Sequence, residues 1–339
     1  TYDNRIRKQH GYTSDNLTYY PVVIIGAGES GITTGCRLKE ELGFDQFRIF
    51  ERQSRVGGRW WINRYPGAMC DDAGFYHGWF CPDLKPASFP PSGKEILKYL
   101  HDICEQFKIW DKIQLNTEVR ECRWLESEKV WELILWHMVV GAGDLSEQER
   151  SQKIQDCDRK AIYNFVEKIR SKIVVNTVGC VVEPNSLPEE IPGMDRFRGQ
   201  IFHSSRWRYD VDLTDKEVIV VGTGCSAAQF VPLLIQDYGA RSVTQIMRSP
   251  PWVIPQTINF PENKIWNKWS LWLGRHIPGI GKLILYRMAV NAEINSILFG
   301  SSNFSEKKKK AVEAELLAHM KKTVPRKYQE ILTPNQDIG

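Results

Sequence analysis

The stretch VVIIGAGESG, residues 22–31, decides the fold of this chain. Its four leading apolar residues are typical of a strand buried on both faces of a parallel sheet. Gly26, Gly28 and Gly31 then follow with the spacing G-x-G-x-x-G, in which the first two glycines permit a tight turn and the third lets a helix pack close to the strand. The run ITTGCRLKEEL predicts that helix, and QFRIFE predicts a second strand that ends at Glu51.

Glu51 completes this β–α–β unit as a dinucleotide site. It lies 20 residues after Gly31, where a carboxylate can bond to the 2′-hydroxyl of a ribose. The N-terminus of the predicted helix, with Ser30 in its first turn, presents unpaired N–H groups to phosphates. The three glycines alone would be weak evidence, but the strand, the helix and the terminal acid together make the signal specific.

A second unit of the same kind begins at Glu217. EVIVV predicts its strand, GTGCSA its turn and AQFVPLLIQDYG its helix, and the next strand, SVTQIM, leads to an arginine rather than an acid. Because an arginine can pair with a 2′-phosphate that a carboxylate would repel, we expect this site to prefer NADP(H) to NAD(H). The alternative is an ordinary surface arginine. The predicted contacts are Gly222, Thr223, Gly224, Ser226, Ala227, Arg248 and Ser249.

Composition limits the class of protein. The 339 residues are 42% hydrophobic and 25% charged. The net charge of +4 is small and no basic stripe dominates, which argues against nucleic acid as the main partner. No run of 18 apolar residues predicts a membrane-spanning helix, and we expect no stable membrane insertion. The eight cysteines form no C-x-x-C pair, so we interpret them as reduced core thiols of a cytoplasmic protein without a metal site or disulfides.

The predicted fold is therefore α/β, with two Rossmann-like dinucleotide-binding domains. We expect the first over residues 1–184 and the second over 185–339, with a helical insert at about 256–330. Within the insert, residues 266–288 are predicted to form a lid or packed helix. KIVVNTVG, residues 172–179, predicts a further buried strand, and the polar stretch 146–161 predicts a surface loop or helix between strands.

Two other stretches carry chemistry-bearing residues. GGRWWINRYPGAMCD, residues 57–71, combines a Gly-Gly pair for close approach to a cofactor with Trp60 and Trp61, whose rings can cover a flat ligand. FRGQIFHSSRW, residues 197–207, places Phe197, Gly199, His203 and Trp207 between the two glycine-rich turns. Its spacing fits neither an amphipathic helix nor an alternating strand.

Together these stretches resemble the class B flavoprotein monooxygenases, and within them the type I Baeyer–Villiger monooxygenases. The likeness runs over nearly the whole chain. VVNTVG, GTGCSAAQ and MRSPPWVIP look most like the fungal branch that oxidises polyketides. The resemblance implies FAD at the first glycine turn and NADPH at the second, and it makes residues 197–207 a fingerprint that links the two domains.

The resemblance also implies roles for single residues. Asp71 and His203 would be catalytic, with His203 and Trp207 at a hinge that transmits domain closure. Val119 would contact the adenine through its backbone. The remaining contacts implied for FAD in segment 57–76 are Arg59, Trp60, Trp61, Cys70, Asp71 and Tyr76.

The implied reaction uses O₂ and a small-molecule ketone, and it gives an ester or lactone. In the family an arginine in a G-C-K-R stretch supplies positive charge at the flavin. The chain stops at Gly339, before such a stretch, so we expect an incomplete FAD-binding domain and no ketone oxygenation by this chain alone. The alternatives are an N- or S-oxidising flavin monooxygenase, which usually has Tyr where Trp207 stands, and an inactive truncated homologue. A disulfide reductase would need a redox cysteine pair.

Overall fold

The fold is seen in a computed structural model. It describes residues 17–70, 91–180, 182–185, 191–253 and 302–338, together with residues 277, 286 and 290. The chain divides into two compact units. The first contains the described residues up to Ala68 and from 91 to Val211, and the second contains Met69, Cys70 and the described residues from Asp212 onward. Assignment of the ranges 1–184 and 185–339 to FAD and NADP stays a prediction.

The first unit is a six-stranded mixed sheet with helices. Its strands are β1 (Thr18–Ile25), β2 (Phe47–Phe50), β3 (Ile113–Gln114), β4 (Thr117–Leu125), β5 (Val130–Met138) and β6 (Tyr163–Asn176). Its helices are α1 (Glu29–Glu40), α2 (Arg59–Ile62), α3 (Gly93–Gln106) and α4 (Glu147–Asp156). The strand order is β3-β2-β1-β6-β5-β4. The pairs β4–β5 and β5–β6 are antiparallel, whereas β6–β1, β1–β2 and β2–β3 are parallel.

The core lies around the predicted first strand. Val23 and Ile24 are fully buried, as expected for a central strand of a parallel sheet. Val23 packs with Phe50, Leu133 and Ile169 in one cluster. The 14-residue strand β6 joins the two halves of the sheet, because its first part pairs with β5 and its last part pairs with β1.

The second unit contains a parallel two-stranded β–α–β unit. It consists of β7 (Glu217–Val221), α5 (Cys225–Gln236) and β8 (Ser242–Ile246), with Glu217 paired to Ser242 and Val221 to Ile246. Two later helices, α6 (Asn303–Thr323) and α7 (Arg326–Leu332), lie within the range predicted as a helical insert. The predicted lid at 266–288 lies outside the described residues apart from single positions.

The predicted α/β class and both β–α–β units are confirmed, but two expectations about burial are wrong. The strand at 172–176 forms, yet Ile173 is 52% exposed, because this part of β6 pairs only with β1 and hydrogen bonds along an edge do not cover the faces of a strand. Four cysteines are exposed rather than in the core, namely Cys122, Cys157, Cys180 and Cys225. They lie on strand β4, which is the outer strand of the sheet, and on loops or helix ends.

Candidate functional site

The first glycine turn is closed by a residue that directly follows β6, the strand next to β1 in the sheet. Gly26 has a φ of +102°, which favours glycine, and a Cβ there would lie 2.8 Å from the carbonyl oxygen of Thr177. A Cβ on Gly31 would lie 1.9 Å from the carbonyl oxygen of Gly26. The Thr177 hydroxyl donates a 2.7 Å hydrogen bond to the carbonyl of Ile25. The turn therefore requires both glycines for its own packing, and sequence reasoning missed Thr177 as the residue that closes it.

Glu51 lies at the end of β2 as predicted, and it is tied to the glycine turn. Its carboxylate accepts hydrogen bonds from the backbone N–H of Ala27 at 2.7 Å and of Gln53 at 2.9 Å. The residue is only 7% exposed. Burial raises the pKa of Glu51, while the two backbone hydrogen bonds partly offset that effect. The fold thus holds a buried carboxylate at the position expected to meet a ribose.

Gly28 has a different role from its two neighbours in the motif. A Cβ on Gly28 would meet only the Cα of Gly58, at an ordinary distance of 3.5 Å. A Cβ on Gly58, whose φ is +53°, would lie 2.9 Å from the Cα of Gly28. The GAGESG turn and the Gly57-Gly58 turn therefore pack backbone against backbone, and the packing of the protein itself leaves space for a methyl group at position 28.

Helix caps distinguish the two predicted phosphate sites. Among the described helices of ten or more residues, α3, α4 and α6 begin at serines whose hydroxyls accept a backbone N–H. Helices α1 and α5 instead begin at Gly28 and Gly224, with no side-chain cap. Because the first N–H groups of a helix lack partners within the helix, these two ends keep donors for an anion.

The aromatic segment after Gly58 is packed by charged side chains. Trp60 is buried, and its indole N–H donates to the carboxylate of Glu29. Burial raises the pKa of Glu29, while the Trp60 hydrogen bond and Arg59 act in the opposite direction. The Arg59 guanidinium carbon lies 4.9 Å from the centroid of the Trp60 ring. These contacts fix Trp60, and its role toward a flavin stays a prediction.

Trp61 is held by a set of residues that the sequence did not single out. Its indole N–H donates to Asp144 at 2.8 Å, and Asp144 also accepts a hydrogen bond from the backbone of Ser54. Guanidinium carbons of Arg64 and Arg55 lie 3.9 and 5.2 Å from the Trp61 ring. The ring is therefore covered by arginines in this conformation, and its predicted contact with a flat ring of the cofactor stays untested.

The remaining predicted FAD contacts are only partly described. Val119 lies on β4 with its side chain against the core cluster, and the register of β4 with β5 shifts directly after it. Cys70 is buried in the second unit. Ser30 is exposed in the first turn of α1. Asp71 and Tyr76 lie outside the described residues, so their catalytic and flavin-binding roles stay predictions.

The fingerprint at 197–207 belongs to the first unit and contains a short 3₁₀ turn, Ser204–Arg206. The imidazole Nδ1 of His203 accepts the backbone N–H of Ser205 at 3.1 Å. Partial burial lowers the pKa of His203, and the neighbouring Arg206 adds to the effect. The Trp207 ring meets Phe202 edge to face, with centroids 5.4 Å apart. His203 and Trp207 therefore stabilise the local turn, whereas their proposed hinge role is not tested by these contacts.

One carboxylate that the sequence did not single out connects three arginines. Glu183 accepts a hydrogen bond of 2.9 Å from Arg52, the residue directly after Glu51. The Nη2 atoms of Arg150 and Arg206 lie 3.6 and 3.7 Å from its carboxylate oxygens. The fingerprint is thus anchored, through Glu183, to the residue that follows the predicted ribose ligand. No local pattern predicts this cluster, since its members are far apart in sequence.

The second glycine turn is more open than the first. Gly222 has a φ of +110°, but a Cβ on Gly222 or Gly224 would meet no atom within 4 Å. The side-chain amide of Gln245 donates to the carbonyl of Gly222 at 2.8 Å. Ala227 is buried in α5, and Thr223 and Ser226 are partly exposed. The predicted motif residues therefore form a turn between β7 and α5, as a β–α–β dinucleotide unit requires.

Arg248 follows β8 at the position predicted for phosphate recognition. It is exposed, and no carboxylate of the described residues lies within ion-pair distance of it. Ser249 beside it is partly buried. An exposed guanidinium without an acidic partner keeps its hydrogen-bond donors for a ligand.

Among the described residues no group of three or more His, Cys, Asp or Glu side chains could hold a metal ion. None of the described helices has the length and apolar character that a membrane crossing requires.

Comparison with known proteins matches this architecture to a family. The flavin-binding monooxygenase-like family matches residues 20–320. A Baeyer–Villiger monooxygenase of Pseudomonas aeruginosa is 33% identical over 236 residues, which are 69% of this chain and 38% of that protein. The FAD-binding monooxygenase BOA2 of Botryotinia fuckeliana is 31% identical over 262 residues, which are 76% of this chain and 43% of that protein.

A solved structure agrees with the fold. Cyclohexanone monooxygenase, crystallised with epsilon-caprolactone, superposes with a TM-score of 0.68 at 23% identity, and the match covers 94% of this chain and 62% of that chain. At this identity the likeness concerns the fold. The chain spans less than half the length of the two curated relatives that it matches.

Proposed function

The chain belongs to the flavin-binding monooxygenase-like family, and on that premise we propose that the protein is an FAD- and NADPH-dependent monooxygenase. In the proposed reaction one oxygen atom of O₂ enters beside a ketone carbonyl and gives an ester or lactone. The resemblance to the fungal polyketide branch and the fungal relative support aromatic polyketide ketones as the substrate class. We place the protein in the cytoplasm, since none of the seven described cysteines forms a disulfide.

The observation that carries this proposal is the contrast in helix caps. A serine caps each of the other described helices of ten or more residues, whereas α1 and α5 start at glycines of the two G-x-G motifs without a side-chain cap. An uncapped helix end has free N–H donors and the positive end of the helix dipole, both of which favour a pyrophosphate. Two such ends in one chain support two dinucleotides, as electron transfer from NADPH to a flavin requires.

The residues of the first unit fit FAD. The glycine turn is closed by Thr177 from inside, while space remains at Gly28 for a phosphate to approach the backbone. Glu51 is fixed by two backbone hydrogen bonds and retains acceptor capacity for ribose hydroxyls. The bound flavin would supply the oxygen chemistry, and the protein would bind it, orient it and exclude water.

The residues of the second unit fit NADPH. Gly222 and Gly224 leave open space at the turn, and Arg248 offers a guanidinium fork with no competing carboxylate among the described residues. Such a fork suits the 2′-phosphate of NADPH through paired hydrogen bonds. Asp71 and His203 are implied by the resemblance to be catalytic, and Asp71 would lie near the flavin ring and His203 at the hinge.

The protein can be tested with FAD, NADPH and three classes of substrate. Ketones, sulfides and amines should be supplied in parallel, and products identified by mass spectrometry with ¹⁸O₂. Incorporation of one labelled atom into an ester or lactone, coupled to NADPH consumption, would support the proposed reaction and would contradict the sequence-based expectation that this chain alone does not oxygenate ketones. Oxidation of only the amine or sulfide would favour the N- or S-oxidising alternative. FAD binding is followed separately by quenching of flavin fluorescence, so that a protein that binds FAD without turnover is distinguished from one that does not bind it.

A further inference from the structure

A cleft on the first unit lies apart from the predicted cofactor residues. It has a volume of about 270 Å³ and lies between helix α4 and the antiparallel strands β4, β5 and β6. Its lining residues are Arg120, Trp136, Glu147, Arg150, Ser151, Ile154, Arg159 and Tyr163. None of them is among the residues predicted to contact FAD or NADP. From this cleft we propose a binding site for a phosphate-type oxyanion.

Charge is the first support for the site. Three arginines line the cleft against one carboxylate side chain, that of Glu147. Arg150 is buried and has Glu183 at 3.6 Å, and Arg120 has Glu118 at 3.6 Å. Arg159 has no described carboxylate within ion-pair distance. Carboxylates thus offset the charges of Arg120 and Arg150, and Glu118 also accepts a 3.4 Å hydrogen bond from the Tyr163 hydroxyl. Arg159 is the lining arginine without a described carboxylate partner, and an oxyanion would pair with it.

The arrangement around Trp136 is the second support. The guanidinium carbons of Arg159 and Arg120 lie 4.2 and 5.3 Å from the same indole ring, and Tyr163 meets that ring edge to face at 4.7 Å. Cation–π contact holds both guanidiniums near one ring without neutralising either charge. Two cations that share a ring are stabilised by an anion that hydrogen-bonds to both.

The backbone provides the third support. The register of β4 with β5 shifts between Val119 and Glu121, so that Arg120 has no partner in the ladder. A bulge of this kind redirects a side chain, and bulges are frequent beside functional sites. Helix α4 forms the opposite wall of the cleft. It lies in the connection between β5 and β6, which are neighbours in the sheet. Arg120 on β4 and Arg159 in the 3₁₀ turn that follows α4 (Arg159–Ala161) thus lie at the same ring.

The test is a titration of the FAD-loaded protein with inorganic phosphate, followed by tryptophan fluorescence, with chloride at matched ionic strength as the reference. We expect a saturable change that disappears in the Trp136→Phe variant. Arg159→Gln should weaken phosphate binding at least tenfold, because it removes a charge-assisted contact. Arg123→Gln, on the same strand but outside the cleft, is the matched control and should bind phosphate normally.

Phenyl phosphate distinguishes an organic ester from the free ion. If phenyl phosphate binds several-fold more tightly than inorganic phosphate, the ligand is a phosphate ester whose ring reaches Tyr163. If it binds equally or more weakly, the ligand is the free phosphate ion. The proposal is overturned if phosphate gives no saturable change, if the change persists without Trp136, or if Arg123→Gln weakens binding as much as Arg159→Gln. Phosphate binding that is seen with the FAD-free protein and lost on loading with FAD would also overturn it, since the cleft would then be part of the cofactor site.

Discussion

The carboxylate of Glu51 accepts a 2.7 Å hydrogen bond from the backbone N–H of Ala27, 24 residues earlier in the chain. This bond joins the end of the second strand to the middle of the glycine turn. The predicted ribose ligand and the predicted phosphate-binding turn therefore form one rigid element before any cofactor binds. A change at Glu51 should act on both parts of an FAD molecule at once.

We expect Glu51→Gln to weaken FAD binding about tenfold or more. The amide has one oxygen for the two backbone N–H groups that the carboxylate now serves, and it loses a charge-assisted bond to the ribose, which is typically about 1.5–3 kcal/mol. Equilibrium dialysis or flavin fluorescence measures the affinity. Glu41→Gln, an exposed glutamate at the end of α1, is the control, and equal losses in the two variants would contradict the assignment.

The Gly28→Ala and Gly31→Ala variants should fail in different ways. A methyl at position 28 makes an ordinary 3.5 Å contact, so this variant should fold and yet lose FAD, because the methyl occupies the approach to the pyrophosphate. A methyl at position 31 would lie 1.9 Å from a carbonyl oxygen, so that variant should be destabilised by several kcal/mol. Thermal unfolding and flavin content separate the two effects. A folded and fully yellow Gly28→Ala protein would show that this turn does not hold the pyrophosphate.

Arg248→Ala should raise the KM for NADPH by about tenfold to a hundredfold and leave the KM for NADH nearly unchanged. The expected loss corresponds to one guanidinium–phosphate contact of roughly 1.5–3 kcal/mol. Exposed Cys225 at the start of α5 gives a readout independent of turnover, because bound NADPH should slow its alkylation. Peptide mapping distinguishes this cysteine from the other exposed ones. Similar effects on both nicotinamide cofactors would remove the role of Arg248 in reading the phosphate.

His203 should make the fingerprint turn sensitive to pH. Its Nδ1 accepts the Ser205 N–H, which requires an unprotonated nitrogen, and its pKa is lowered from 6.5 by partial burial and by Arg206. A group with a lowered histidine pKa contributes stability that is complete above 6.5 and is lost as the pH falls through its folded-state pKa.

Denaturant unfolding at pH 7.5, 6.5 and 5.5 tests this expectation. The free energy of unfolding of the wild type, relative to that of His203→Asn, should fall by up to about 1 kcal/mol as the pH falls, because protonation breaks one hydrogen bond of the wild type. The asparagine oxygen can accept a similar bond at every pH. A difference that stays constant over this range would mean that Nδ1 of His203 is not the acceptor.

Sequence reasoning recovered the parts of this fold whose signals are local. VVIIGAGESG and QFRIFE gave the first β–α–β unit because apolar runs, glycine spacing and a terminal acid all lie within 30 residues, and β1, α1 and β2 appear where expected. The second unit was predictable for the same reason. The glycine positions follow from backbone sterics, which the structure bears out at Gly26 and Gly31.

The contacts that were missed depend on residues distant in sequence. Glu183 meets Arg52 across 131 positions and Thr177 meets Ile25 across 152. Asp144 accepts hydrogen bonds from Ser54 and Trp61, and it lies in a short turn for which no prediction was made from the sequence. A periodicity identifies a strand or helix, but it does not identify which polar side chains meet once those elements pack. The burial of Ile173 and of four cysteines was misjudged for the same reason.

The bond between Thr177 and Ile25 has a consequence for the order in which the protein is made. At typical ribosomal rates of about 5–20 residues per second, the 152 residues between them take roughly 8 to 30 s to synthesise. During that time β1 lacks the neighbour that will cover one of its edges, and contacts of such long range form slowly. The glycine turn is thus completed only after residue 177 has been synthesised, well after the residues of the turn itself. The nascent chain should depend on chaperones until residue 177 has left the ribosome.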